Sequence, residues 1–115
     1  MQFSETLNKN YEFRRLYAKG RSAVTPTLVV YMRRVKRDTN RVGITVTVKL
    51  GKAVVRNRVR RRLREIYRLH EGELSRGIEL VLVARGRSTD AAYARLEQDF
   101  LTCCERLGIK EVSNP

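Results

Sequence analysis

A chain of 115 residues, 42% of them hydrophobic, is sized for one domain with a modest core and is too apolar to stay unfolded. It carries 25 Lys and Arg against 12 Asp and Glu, a net charge of +13. That balance points to a polyanionic partner, nucleic acid or an anionic membrane surface. No apolar run approaches the ~20 residues of a membrane span, and the first residues lack a signal core. The two cysteines, Cys103 and Cys104, are adjacent, which suits a reduced cytoplasmic protein better than a disulfide scaffold.

In chain order, Asn8 or Asn10 is placed to cap a first helix and Gly20 to end it. Phe13, Leu16 and Tyr17 share one face of that helix, as core stripe or as a cleft edge on which bases stack. Ser22–Val24 is a candidate edge strand. The β-rich run Thr27–Arg33 predicts a strand with Leu28, Val30 and Met32 on one side and Val29, Tyr31 and Arg33 on the other. After a polar turn, Val42–Val48 predicts a second strand, its apolar face made by Ile44, Val46 and Val48. These two strands are expected to pair as an antiparallel hairpin.

Gly51 and Lys52 lead into a long helix, Ala53 to Glu71. At 100° per residue, Val55, Val59, Leu63, Ile66, Tyr67 and His70 fall in an arc of about 120°. Arginines sweep the opposite side. Seven lie between Arg56 and Arg68, with Glu65 the only acid among them. A solvated helix face normally mixes cations with Glu in i,i+4 pairs, so this unrelieved repulsion calls for a polyanion. Arg56 and Arg62 flank the apolar stripe, where their stems can lie on neighbours. Residues 1–64 carry eighteen cations against three acids, and residues 65–115 carry seven against nine. The first part is the electrostatic footprint and the second is scaffold.

Gly72 and Gly77 bracket a short connection to Ile78–Ala84, a strand apolar enough for the middle of a sheet. Asp90 is placed to cap a last helix, closed by Gly108, with Tyr93, Leu96, Phe100, Cys103 and Leu107 facing the core. The tail KEVSNP is expected to fray. The result is an α+β fold in αβββαβα order: a small, mostly antiparallel sheet in a two-layer sandwich, helices mainly on one face.

Catalytic groups are scarce. The single histidine, His70, lies on the apolar stripe and reads as a satisfied core residue. The acid pairs sit in scaffold, and no spacing of Cys, His and carboxylates suits a metal. Arginine forks on a rigid helix suit phosphates, and aromatics beside a polar sheet face suit single-stranded RNA.

The run GKAVVRNRVRRRLRE, with Arg56-Asn57-Arg58, Arg60, Arg61 and Arg64 in register, resembles the signature of the bacterial ribonuclease P protein subunit. EFRRLYAKG (Glu12–Gly20), LVVY, RVGITV and LVLVAR resemble other segments of that family in order, so the likeness runs from about Leu7 to Leu107. The resemblance implies an RNA-binding protein that binds a catalytic RNA. That RNA uses Mg²⁺ to remove the 5′ leader of precursor tRNA, so the chain is an endoribonuclease subunit whose catalytic centre lies in the RNA. It implies no protein metal site, no membrane and no obligate protein partner. By position, Phe13, Tyr17, Tyr31, Thr45, Thr47 and Lys49 would meet the leader. Lys52, Arg56, Asn57, Arg58, Arg60, Arg61 and Arg64 would face the catalytic RNA. The family fold implies a left-handed βαβ crossover through the arginine helix. The chain departs from the family in two places: Val48 stands where many members have lysine, on the expected apolar face, and Tyr17 stands where many have Phe. A basic ribosome-associated or general RNA-binding protein, and a cationic membrane-surface helix, are the competing readings.

Overall fold

The most apolar strand decides the layout. In the computed structural model, which describes residues 4–111, Ile78–Ala84 is a strand whose Ile78, Leu80, Val81 and Leu82 are wholly buried. Such a strand gains most from neighbours on both edges and cover on both faces. It takes the middle of a five-stranded sheet. In chain order the strands are β1 (Ser4–Thr6), β2 (Arg21–Val24), β3 (Leu28–Arg34), β4 (Asn40–Thr45) and β5 (Ile78–Ala84). They stand side by side as β1-β4-β5-β3-β2. The helices are α1 (Asn10–Lys19), α2 (Ala53–His70) and α3 (Tyr93–Arg106).

The expected β3–β4 hairpin does not form. β5 inserts between the two strands, antiparallel to β3 and parallel to β4. The polar segment after β3 arches over the start of β5, where Val35 N–H donates to the Gly77 carbonyl at 2.8 Å. Gly77 has φ +76°, and a Cβ there would lie 2.6 Å from the Arg37 carbonyl oxygen. Only glycine fits under that arch. The buried Asn40 fastens the same end: its amide donates to the Ser75 carbonyl at 2.9 Å and its oxygen accepts from Ile78 N–H at 3.1 Å. α2 connects β4 to its parallel neighbour β5, as a βαβ crossover requires.

The α+β class holds, with detailed differences. β1 precedes the first helix and pairs in parallel with β4. Ser22–Val24 falls within the edge strand β2. The helices lie on both faces of the sheet. Leu28, Val30 and Met32 of β3 and Leu80 and Leu82 of β5 join Val59, Leu63, Ile66, Tyr67, Leu96, Phe100, Cys103 and Leu107 in the main core. On the other face Leu7, Leu16 and Val81 form a smaller cluster with Phe13, Tyr31 and Val83. The predicted alternation along β3 is present; the predicted stripe along α2 is buried at Val59, Leu63, Ile66 and Tyr67, while Val55 and His70 at its ends are only partly buried.

Several ends differ from expectation. The α1 cap position is Lys9, whose N–H donates to Glu12 Oε1 at 3.2 Å, so neither asparagine caps. Gly20 ends the helix at negative φ, and it is needed for space: a Cβ would sit 2.5 Å from the Leu16 carbonyl oxygen. β4 stops at Thr45. Val48 leaves the sheet for a 3-10 turn, Val48–Leu50, and is 75% exposed, so it does not join the apolar face. α3 starts at Tyr93 rather than at an Asp90 cap, because Gly86–Thr89 forms a separate 3-10 turn. Lys110 bridges to Leu74, and Glu111 N–H donates to the Glu73 carbonyl, so the tail is pinned this far; residues 112–115 lie outside the described ones.

Candidate RNA interface

β1 pairs only with Asn40–Val42 of β4. Beyond Val42 the edge of β4 is open, and α1 and α2 stand on either side of it. The opening is a cleft of about 540 Å³ lined by Asn10, Phe13, Arg14 and Tyr17 of α1, Ile44, Thr45 and Val46 along β4, and Arg60 of α2. A second hollow, about 330 Å³, shares Phe13, Ile44 and Arg60 and adds Thr6, Leu7, Val42, Arg64 and Tyr67.

The sheet beneath α1 sets the depth of the aromatics. Tyr31, Val81 and Gly43 are aligned across three strands. A Cβ on Gly43 would lie 2.6 Å from two atoms of the Phe13 ring, so the ring sits down onto the strand because no side chain is there. Tyr17 packs edge-on against Tyr31, centroids 4.9 Å apart at 73°, and its hydroxyl is 3.1 Å from Thr45 Oγ1. Tyr17 is 40% exposed.

Next to this row an ionic cluster holds α1 in place. Glu79, fully buried on β5, faces Arg37 Nη2 at 2.9 Å, Arg33 Nε at 3.5 Å and Arg41 Nη1 at 3.9 Å. Arg41 also pairs with the buried Glu12 of α1. Three arginines of the basic half are therefore paired with buried carboxylates. A buried carboxylate is tolerable only with such partners.

The α2 arginines divide into rows. Arg60 faces the cleft and, with Arg64, the second hollow, and Arg60 donates to Asn57 Oδ1 at 3.1 Å. Arg58 and Arg62 reach the other way, onto the Thr89 and Ala91 carbonyls at 2.7 and 3.1 Å. Arg56 Nε donates to the Gly51 carbonyl at 3.1 Å. Arg61 lies on the exposed crest and its side chain, among the described residues, makes no hydrogen bond or ion pair. Lys49, Lys52 and Asn57 are exposed.

The structure thus gathers Phe13, Tyr17 and Thr45 in the cleft, with Tyr31 supporting Tyr17. Thr47 and Lys49 are exposed past its end and do not line it. Of the residues expected to face the catalytic RNA, Arg60 also lines the cleft and Arg64 lines the adjoining hollow. Asn10 and Arg14 were missed, although they stand three residues before Phe13 and Tyr17 respectively, on the same helix face.

The histidine and the two cysteines lie away from the cleft. His70 lies between Glu73 and Glu97, its Nδ1 2.5 Å and its Nε2 2.8 Å from their oxygens. Burial pulls the imidazole down, but the hydrogen bonds from Glu97 and Glu73 outweigh it and the net shift is upward. Cys103 and Cys104 are free, buried thiols, so Cys104 belongs to the core as fully as Cys103 does. Burial raises both, Cys104 to about 12.

The sequence profile of the ribonuclease P family matches residues 1–108. The chain belongs to the ribonuclease P protein family. Among curated relatives, the ribonuclease P protein component of Natranaerobius thermophilus is 41% identical over 84% of each chain. That of Clostridium novyi is 40% identical over 95% of this chain and 98% of its own. Among solved structures, the Staphylococcus aureus RNase P protein superposes with a TM-score of 0.84, at 29% identity over 92% of this chain and 97% of that one. The Thermotoga maritima RNase P protein gives 0.80, at 28% identity over 89% and 96%. Membership makes the chain's role that of the protein component of ribonuclease P, in tRNA 5′-end processing. Among the described residues no helix is long and apolar enough to cross a membrane.

Proposed function

We propose that the chain binds the ribonuclease P RNA through the crest of α2 and holds the 5′ leader of precursor tRNA in the cleft along β4. The observation that carries this reading is the junction itself: an open strand edge with two aromatic rings, Phe13 and Tyr17, a hydroxyl and Arg60, directly beside a helix crest of unrelieved positive charge. A single-stranded leader fits such a cleft. Its bases stack on Phe13 or Tyr17, and its phosphates meet Arg14, Arg60 and Arg64. Arg61, Lys52 and Asn57 are left to the catalytic RNA. Arg56 and Arg58 add charge to that side while their heads are anchored on backbone carbonyls.

The hydrolytic centre and its Mg²⁺ belong, in this reading, to the RNA. The protein's acids do not suit a metal: no cluster of three or more His, Cys, Asp or Glu fit to hold one occurs among the described residues. Glu12, Glu79, Glu73, Glu97 and Asp99 are each committed to a cation or hydroxyl. What the chain contributes is orientation. It fixes the leader on one side of a rigid helix and the catalytic RNA on the other.

Reconstitution with the ribonuclease P RNA tests the whole. The protein alone should leave precursor tRNA intact. Added to the RNA at low Mg²⁺, it should restore leader removal and favour precursor over mature tRNA. Equal binding of precursor and mature tRNA by the reconstituted particle would leave a general RNA-binding protein.

A further inference from the structure

The outer face of α1 carries an aromatic that the cleft does not use. Tyr11 is 54% exposed. Lys9 Nζ lies 5.9 Å from its ring centroid and the Arg15 guanidinium carbon 5.6 Å. Two cations share one ring, and the acid within a turn of it, Glu12, is buried and committed to Arg41. Cation–π attraction fixes the ring but leaves much of its surface in water, while the cations repel each other. The Arg15 Nε is itself buried without a hydrogen-bond partner. An aromatic plate flanked by cations is the arrangement that takes a nucleobase on the ring and its phosphate on the flank.

Position on the helix joins this plate to the cleft. At 100° per residue, Arg14 falls between Tyr17 and Tyr11 around the helix. Arg14 lines the cleft. A strand leaving the cleft past Arg14 therefore meets Tyr11 next, on a surface of continuous positive charge.

We propose that Tyr11, with Lys9 and Arg15, is a second stacking station for the same precursor-tRNA leader, engaging leader nucleotides beyond those the cleft holds. This rests on the leader occupying the cleft. It follows that the length of leader the protein rewards exceeds what the cleft alone can contact.

The test uses the reconstituted particle and two precursor tRNAs, one with a leader of two or three nucleotides and one with a leader of about ten. Tyr11→Ala should weaken binding of the long-leader substrate by roughly five- to a hundred-and-fiftyfold, the span of one lost base–aromatic stack. It should leave the short-leader substrate and the bare catalytic RNA unchanged. Tyr11→Phe should bind like the parent. Replacing Lys9 and Arg15 with Gln should flatten the salt dependence of long-leader binding alone. Equal affinity of Tyr11→Ala and parent for the long leader would overturn the inference. So would a loss seen equally with the bare catalytic RNA, which would make that RNA the partner. Tyr17→Ala run in parallel separates the two levels. If it weakens both precursors while Tyr11→Ala weakens neither, only the second station falls; if it has no effect on either, the cleft reading falls with it.

Discussion

Gly43 shows how a residue without a side chain shapes the site. It is buried in the middle of β4, and the Phe13 ring occupies the space its Cβ would need. Gly43→Ala should force the ring up into the cleft. Overpacking of this kind costs about 1–3 kcal/mol, and discrimination between precursor and mature tRNA should fall with it. Affinity for the catalytic RNA, on the far side of α2, should hold. Urea titration measures the first effect and competition binding the second; unchanged stability with full discrimination would show that the ring has room to spare. The need for glycine here was not legible in RVGITV, since the ring that meets it comes from thirty residues upstream. Glu79 was equally hidden. Inside an apolar run it reads as an intruder, and its partners Arg33, Arg37 and Arg41 become neighbours only once β5 lies between β3 and β4.

At the scale of elements, α2 was the most legible part of the chain. Its span and its buried residues follow from a 3.6-residue period that needs no knowledge of neighbours. Strand pairing depends on neighbours. Two adjacent strands joined by a polar turn suggest a hairpin, but burial of the more apolar β5 between them prevailed. β1 escaped notice because SET has neither length nor apolar pattern, and its hold comes from pairing with β4 and from Ser4, which meets the Tyr67 hydroxyl at 2.6 Å and donates to Glu71 at 2.9 Å. The arginines of α2 were legible as a set and not as rows, since what separates them is the position of α1 and of the turn before α3. The rows predict separable effects. Arg61→Ala should flatten the salt dependence of catalytic-RNA binding by about one unit, as loss of one phosphate contact does. Arg60→Ala should leave that slope alone and reduce the preference for precursor over mature tRNA. Salt titrations of each variant against both RNAs decide it, and identical profiles for the two variants would mean the rows act as one surface.

Across the whole molecule, the charge count overstates how many guanidinium groups lack an internal partner. Arg33, Arg37 and Arg41 answer Glu79 and Glu12, while Arg58, Arg62, Arg85 and Arg106 cap backbone carbonyls. In the C-terminal half the acids also work internally, and His70 is the place where that becomes measurable. It joins the end of α2 to the turn that follows through Glu73 and to α3 through Glu97. Its folded-state pKa is raised, so the folded chain holds this proton more tightly than the unfolded chain does. The stabilisation is fully present below the unfolded value, about 6.5, and is lost as pH rises through the folded value. Unfolding midpoints in urea should therefore decline from the mildly acidic range into the mildly alkaline one, and His70→Gln should remove that part of the slope while lowering stability most at the acid end. Parallel pH profiles for the parent and His70→Gln would show that the imidazole stays neutral between its two carboxylates, sharing a carboxyl proton instead of carrying a charge of its own.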